Sequence, residues 1–319
     1  MSFSDNLKKT VRIIRLSRSI AISGHINPDG DSLGSLLSLG LSLEKVGKKV
    51  YMICQDAVPK HYLLLPGVKK LKQSINQKVD LAIAVDCGSE KLLGTAAEIF
   101  KNAKNTLSID HHEFRKNFTE YSLIDHKVSA TSEIIYQLIK KMRIKIDRSI
   151  ATNLLTSLIV ETNSFRLPST NSRTFLICAE LLQTGINFYN ISQMTYWSKT
   201  RPILKLFNVF YSKIRFEEND KIVWAYLSQK DFQKTSTEMV DADFLIEEVH
   251  SLSSPALALL FSEQKDGKIR VGMRSKGKIN IARLAEQYGG GGHSDMAGCV
   301  VAHKKNIIKE IIKKAKKLL

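Results

Sequence analysis

The feature that most constrains this chain is the run Ser19-Ile20-Ala21-Ile22-Ser23, followed at once by Gly24-His25-Ile26-Asn27-Pro28-Asp29-Gly30-Asp31-Ser32-Leu33-Gly34-Ser35. A short apolar run of this kind fits a strand buried on both faces, as in a parallel sheet. Leu33, Leu36, Leu37, Leu39, Leu41 and Leu43 then recur at helical spacing, so the polar stretch falls where a strand hands over to a helix. Open α/β sheets bind ligands at the carboxyl ends of their strands. One imidazole and two carboxylates crowd that place. Two acids so close repel each other unless a cation lies between them. Imidazole with carboxylate oxygens suits a divalent ion such as Mn²⁺. A helix N-terminus capped by Asp or Ser accounts for the same residues without a metal.

The pattern repeats, and the repetition favours the metal. Leu81-Ala82-Ile83-Ala84-Val85 ends in Asp86-Cys87-Gly88-Ser89, and Thr106-Leu107-Ser108-Ile109 ends in Asp110-His111-His112. Three strands thus deliver acids and histidines to one end of a sheet. Lys49–Cys54 supplies a further strand, and Pro59–Leu65 with Pro66-Gly67 an irregular connection. Helices are predicted over Asp5–Arg18, Glu90–Phe100, Thr131–Met142, Asp147–Val160, Ser172–Gln183 and Phe188–Trp197. Strands alternating with helices predict an α/β fold with a doubly wound, mainly parallel sheet. Arg201-Pro202 marks a boundary. Beyond about residue 206, strands Ile222–Leu227, Ala256–Ser262, Lys268–Arg274 and Met296–Ala302 alternate with helices Asp241–His250 and Ile279–Gln287, which predicts a second, smaller mixed α/β domain. The expected division is 1–190 for the metal-binding domain, 191–205 for a linker and 206–319 for the second domain.

A chain of 319 residues with 43% hydrophobic content is long enough for two ordinary domains with proper cores. No apolar stretch approaches a bilayer span, and Lys8, Lys9, Arg12, Arg15 and Arg18 interrupt any signal-like core, so no membrane partner is expected. Cys54, Cys87, Cys178 and Cys299 lie far apart, without metal-ligand spacing or a disulfide framework, which predicts a cytoplasmic protein. The formal net charge of +17 favours acidic partners, nucleic acid or a phosphorylated small molecule first. Much of the excess is lysine. Lys304, Lys305, Lys309, Lys313, Lys314, Lys316 and Lys317 decorate a final helix whose Ile307, Ile308, Ile311, Ile312 and Leu319 make its buried face, so that charge is expected to be a solvated surface.

Together, His25-x3-Asp29-Gly30-Asp31, Asp86 after its strand and Asp110-His111-His112 resemble the signature of the DHH phosphoesterases. The cluster Gly289, Gly290, Gly291, Gly292 and His293 is similar to the hallmark of their DHHA1 domain. The match spans nearly the whole chain, and Arg274-Ser275-Lys276-Gly277 also fits the nanoRNase/pAp-phosphatase branch. The resemblance implies that His25 and Asp29 hold one cation, that Asp31 and His111 hold another, and that Asp86 bridges the two. It further implies an acid at position 161 as the remaining ligand and Asp110 as an orienting group for a ligand histidine. The chain departs from the family twice. Glu161-Thr162-Asn163 stands where Asp-Thr-Gly is usual, and Glu113-Phe114-Arg115, with Asn117 displaced, replaces a small hydroxyl residue and Asn.

The implied cofactor is a pair of divalent cations, Mn²⁺ with Mg²⁺ as the alternative, sharing a bridging hydroxide that attacks phosphorus in line. His112 is the candidate proton donor to the leaving ribose oxygen. Arg274 and the Gly289–His293 loop are the candidates for gripping the substrate phosphate, the glycines by letting backbone N–H groups approach an anion. In this reading metals on one side cut while the smaller domain grips the nucleotide end across a cleft. The expected substrates are short single-stranded RNA and 3′-phosphoadenosine 5′-phosphate. A phosphatase or exopolyphosphatase, a phosphodiesterase for the linear dinucleotide pApA, and a nucleotide-binding protein with weakened catalysis remain as alternatives. Homodimerisation is left open.

Overall fold

The computed structural model describes residues 2–113, 116–196, 199–242 and 244–319. The chain divides into two compact units, Met1–Ser198 and Lys199–Leu319. Trp197 of the expected helix Phe188–Trp197, Asp243 of the expected helix Asp241–His250, and Phe114 and Arg115 of the loop after His112 lie outside the described residues.

The first unit runs α1 (Phe3–Leu16), β1 (Ser19–Ser23), α2 (Gly30–Lys45), β2 (Lys49–Ile53), β3 (Leu81–Val85), α3 (Ala97–Asn102), β4 (Asn105–Asp110), β5 (Tyr121–Ile124), α4 (Thr131–Met142), α5 (Arg148–Glu161), α6 (Ser172–Leu182) and α7 (Phe188–Tyr196). Its five strands are all parallel, in the order β2-β1-β3-β4-β5. Strand β3 is buried along its whole length, which is why its sequence is an unbroken apolar run. The main core lies on the face covered by α1, α2, α4 and α5. A thinner one, with Leu93, Ile99 and Phe100 against Ala82 and Ala84, closes the other face. In this strand order the chain reverses its winding between β1 and β3, and the crevice beyond their carboxyl ends is where such sheets place ligands.

Two local expectations change. Glu90–Phe100 is not one helix: residues Glu90–Ala96 form 3-10 turns broken at Gly94, whose φ of 56° no α-helix accommodates, and only then does α3 begin. Strand β5 goes unpredicted because its four residues are mostly half-buried at the sheet edge and carry little alternation.

The second unit comprises α8 (Arg201–Lys213), β6 (Arg215–Glu217), β7 (Ile222–Leu227), α9 (Gln229–Thr235), α10 (Leu245–His250), β8 (Leu257–Glu263), β9 (Lys268–Ser275), α11 (Ala282–Glu286), β10 (Gly291–Gly292), β11 (Met296–Ala302) and α12 (Ile307–Lys316). Its sheet, ordered β10-β11-β9-β8-β7-β6, is antiparallel except for the β7–β8 pair. Phe207, Phe210, Phe232 and Leu245 pack on Val223, Ala225 and Leu260 to form its core. Pro202 stands in the first turn of α8, where a missing N–H costs nothing, so Arg201-Pro202 opens a helix.

Candidate metal centre

Each acid and histidine of the first unit owes its position to a strand end or a helix end. Asp29 caps α2, accepting the Ser32 N–H at 2.9 Å, so the capping role is real and coexists with the cluster. Asp31 follows in the first turn and is fully buried. Asp86 leaves β3 with φ 52°, a left-handed conformation that Asp tolerates better than most residues, and this turns its carboxylate towards β1 and β4. Asp110 ends β4, with His111 and His112 directly after it.

The side chains form two groups, His25 with Asp29 and Asp86, and Asp31 with His111 and Glu161, the candidate ligand atoms of each group lying within 4.8 Å of one another. His25 Nε2 is 3.7 Å from Asp29 Oδ2 and 3.6 Å from Asp86 Oδ2. His111 Nε2 is 3.5 Å from Asp31 Oδ2, 3.7 Å from Asp86 Oδ1 and 3.6 Å from Glu161 Oε1. The two oxygens of Asp86 therefore face different histidines, Oδ2 towards His25 and Oδ1 towards His111 and, at 3.6 Å, His112 Nδ1. Separations of this size exceed a good N–H···O hydrogen bond. They match donors around a common ion, since two atoms each about 2.1 Å from a cation sit about 3–3.6 Å apart.

The chemistry of the donor set fits a cation as well. His25 Nδ1 lies 2.7 Å from the Ile26 carbonyl, which can only accept, so Nδ1 carries a proton and Nε2 is the ring nitrogen turned towards the carboxylates. Burial, and then the neighbouring Asp86 carboxylate, push Asp31 well above the usual carboxylate range. Burial alone would lower His25, but the Asp29 and Asp86 carboxylates hold it well above an ordinary imidazole. For Asp29, burial is outweighed by His25 and the Ser32 N–H, which pull it down to about 2. Such displaced groups show a cluster carrying more negative charge than it can balance by itself.

Three hydroxyl residues that the sequence did not single out hold this arrangement. Asp31 accepts from Ser157 Oγ at 2.6 Å, Ser35 Oγ at 3.0 Å and the Thr131 N–H at 2.9 Å. Thr131 Oγ1 donates to Asp86 Oδ1 at 3.0 Å, so one residue at the start of α4 ties both acids together. Ser157 reaches Asp31 because α5 packs closely on α2 at Gly34, where a Cβ would come within 2.5 Å of the Asn153 carbonyl oxygen. The only available signal was Thr131 opening a helix behind Ala130, whose side chain cannot cap it.

Asp110 holds His112: Oδ1 is 2.7 Å from Nδ1 and accepts the His112 N–H at 3.2 Å. Burial would lower His112, yet Asp110 raises it to about 9, and Asp110 in turn is drawn down to about 2. Asp110 thus favours the imidazolium, with the ring's Nδ1–H on Asp110.

Glu161 is the last residue of α5 and reaches His111 despite its extra methylene. The unusual Asn163 also has a reason. Residues Asn163, Ser164 and Phe165 take φ of 47°, 58° and 64°, a left-handed turn in which Asn is the natural substitute for Gly. Asn163 fastens this turn by accepting from Arg166 Nη2 at 2.6 Å.

The remaining expected residues belong to the second unit. Arg274 at the end of β9 gives Nε to Glu247 Oε1 at 2.7 Å and Nη1 to the Met273 carbonyl at 3.0 Å, leaving further guanidinium donors beyond those two bonds. Gly291 and Gly292 pair with Gly298 and Ala297 as a short edge strand. A Cβ at Gly290 would lie 2.1 Å from the Gly298 carbonyl oxygen and one at Gly292 2.4 Å from that of Met296, so packing on β11 already demands glycine at both positions. His293 donates its N–H to the Met296 carbonyl at 2.6 Å.

Comparison with known proteins agrees in both units. The DHH family, N-terminal domain, matches residues 19–160, and the DHHA1 domain matches residues 209–319. The bifunctional oligoribonuclease and PAP phosphatase NrnA of Thermus thermophilus is 25% identical over 287 residues, 88% of this chain and 84% of that protein. The Bacillus subtilis protein of the same name is 24% identical, covering 91% and 92%. An exopolyphosphatase-related protein from Bacteroides fragilis shares the fold, with a TM-score of 0.88 at 22% identity over 98% of this chain and 95% of that one. Among the described residues no helix is long and apolar enough to cross a membrane. The chain carries a DHH family N-terminal domain followed by a DHHA1 domain.

Proposed function

We propose that this protein is a cytoplasmic hydrolase that cuts the phosphate esters of short oligoribonucleotides and of 3′-phosphoadenosine 5′-phosphate, using two divalent cations, Mn²⁺ first. The observation that carries this reading is the pair of His–carboxylate groups sharing Asp86. The oligoribonuclease and PAP phosphatase names of relatives aligned over most of the chain support the substrate class. His25 and Asp29 would hold one cation, Asp31, His111 and Glu161 the other, with Asp86 between. When bound, such a pair acidifies water and neutralises charge on the phosphate.

The chain's own residues do the rest. Thr131, Ser157 and Ser35 fix the carboxylates before any ligand arrives, so little reorganisation accompanies binding. Asp110 keeps His112 charged and aimed, and His112 Nε2–H gives its proton to the ribose oxygen as the P–O bond breaks. Residues 1–190 form the catalytic domain in this reading, 191–205 the linker and 206–319 the substrate-binding domain, where Arg274, Gly289, Gly290, Gly291, Gly292 and His293 contact the nucleotide. The test is hydrolysis of a diribonucleotide and of 3′-phosphoadenosine 5′-phosphate, run in parallel with Mn²⁺ and with EDTA. Metal-dependent turnover of either substrate is expected. Tight nucleotide binding without turnover overturns the enzyme reading.

A further inference from the structure

A second concave site lies within the second unit, away from every residue proposed above for substrate. It is a cavity of about 470 Å³ between the β6–β7 edge and the start of α12, lined by Trp224 and Tyr226 from β7, Arg215 from β6, and Lys304, Lys305 and Lys309. This volume falls in the range of small-molecule sites. Strand β11 runs from Met296, beside the Gly-rich loop, to Ala302, just before Lys304, so seven strand residues, about 20 Å, separate that loop from the cavity rim.

The charges around the cavity decide what it can hold. Lys213 also lines it but is paired with Asp231, and His303 lies 3.6 Å from Glu263, whose other oxygen accepts from Tyr226 at 3.2 Å. Arg215, Lys304, Lys305 and Lys309 have no carboxylate partner among the described residues. The first turn of the ten-residue helix α12 adds its positive end to the same rim. Two aromatic side chains beside uncompensated cations form the pairing by which proteins hold bases and phosphates of single strands. Three of the seven lysines that read in the sequence as a solvated helix face, Lys304, Lys305 and Lys309, thus border a shaped cavity. A dry apolar ligand would leave four cations facing it, and a bare anion would leave the two aromatic side chains unused.

We propose that this cavity binds a nucleotide unit, its base on Trp224 and Tyr226 and its phosphate on Lys304 and Lys305, as a second site separate from the metal centre. That unit belongs either to a free mononucleotide or to a longer RNA whose other end is being processed. The assignment takes only its ligand class from the proposed function. Binding of labelled heptaadenylate and of 5′-AMP is measured on the full chain in EDTA, for the natural protein and for Lys304→Glu/Lys305→Glu. Hydrolysis of a diribonucleotide by the same variant, measured with Mn²⁺, reports on the metal-centre reading separately and is expected to be unchanged. At least a tenfold loss of affinity is expected for one or both ligands, with the salt dependence for the heptamer shallower by about 1.4 on a log–log scale for two lost contacts. A loss confined to the heptamer assigns the site to RNA, and a loss confined to 5′-AMP assigns it to a free nucleotide. Unchanged affinity for both overturns it. Photocrosslinking of the natural protein with 8-azidoadenylate and with a 4-thiouridine heptamer gives a readout that needs no variant. Adducts on Ile222–Leu227 are expected, and their absence with both probes overturns the assignment.

Discussion

In the first unit, residues as far apart as His25 and Glu161 meet in a mostly buried cluster whose Asp29, Asp31 and Asp86 are held by named hydrogen-bond donors. In the second, Arg215, Lys304 and Lys305 stand on an open rim without carboxylate partners among the described residues, and Arg274 is engaged by Glu247. The difference is one of pre-organisation. Like charges gathered in a low-dielectric site repel strongly and must be fixed by hydrogen bonds, whereas cations on a wet surface are screened and tolerate rearrangement. The first unit is therefore expected to be brittle towards substitution and the second forgiving.

The largest test of this contrast is Asp86→Asn, chosen because Asn also accepts the positive φ at this position. Mn²⁺-dependent hydrolysis should fall by about three orders of magnitude. In EDTA the melting temperature should not fall, because neutralising Asp86 relieves the buried Asp31. A melting temperature that drops as far in EDTA as in Mn²⁺ would show that the carboxylate serves folding rather than a cation.

His112 offers a pH test. Its folded value of about 9 lies above the unfolded imidazole value near 6.5. The Asp110–His112 pair therefore contributes fully below about pH 6.5, and its contribution disappears as pH rises through 9. In metal-free protein, His112→Asn should cost about 2–3 kcal/mol at pH 6 and close to nothing at pH 10, read by urea unfolding. A cost independent of pH would remove the ion pair from the account. The same unfolding series should show no such effect for His250 of the second unit, which burial pushes down rather than up.

Thr131→Val keeps the shape and removes the bond to Asp86, so Mn²⁺ affinity should weaken about 10–100-fold while Thr131→Ser retains most of it. Equal losses in the two variants would assign Thr131 to packing alone. Smallest is Glu247→Gln in the second unit, which should cost at most about 1 kcal/mol of stability and leave Arg274 freer, tightening nucleotide binding a few-fold. A loss of several kcal/mol there would erase the contrast between the units.

Four of the five strands in the first unit's sheet were legible because buried parallel strands write themselves as apolar runs, and two of those runs lead directly into an acid, Asp86 and Asp110. The ligating candidates His25, Asp29, Asp31, Asp86, His111 and Glu161 follow from that placement and from the family pattern. What stayed hidden was hidden for physical reasons. Thr131 and Ser157 act through hydroxyls, which look alike in a sequence whether they bond a carboxylate or water. The break at Gly94 depends on one dihedral inside an otherwise helical stretch. The cavity beside Trp224 is assembled from β6, β7 and α12, and a lysine-rich amphipathic helix alone does not disclose what its first turn borders.

Glu161 closes α5, so its carboxylate stands where a helix gathers its outward-facing carbonyl oxygens, while Asp29 and Asp31 stand where α2 begins. The field of α2 favours the acids at its start, and that of α5 opposes the acid at its end. In the half of the cluster that contains both Asp31 and Glu161, the positive end of α2 and the negative end of α5 therefore act on the same site, so a cation held there would feel backbone fields that a count of carboxylates leaves out.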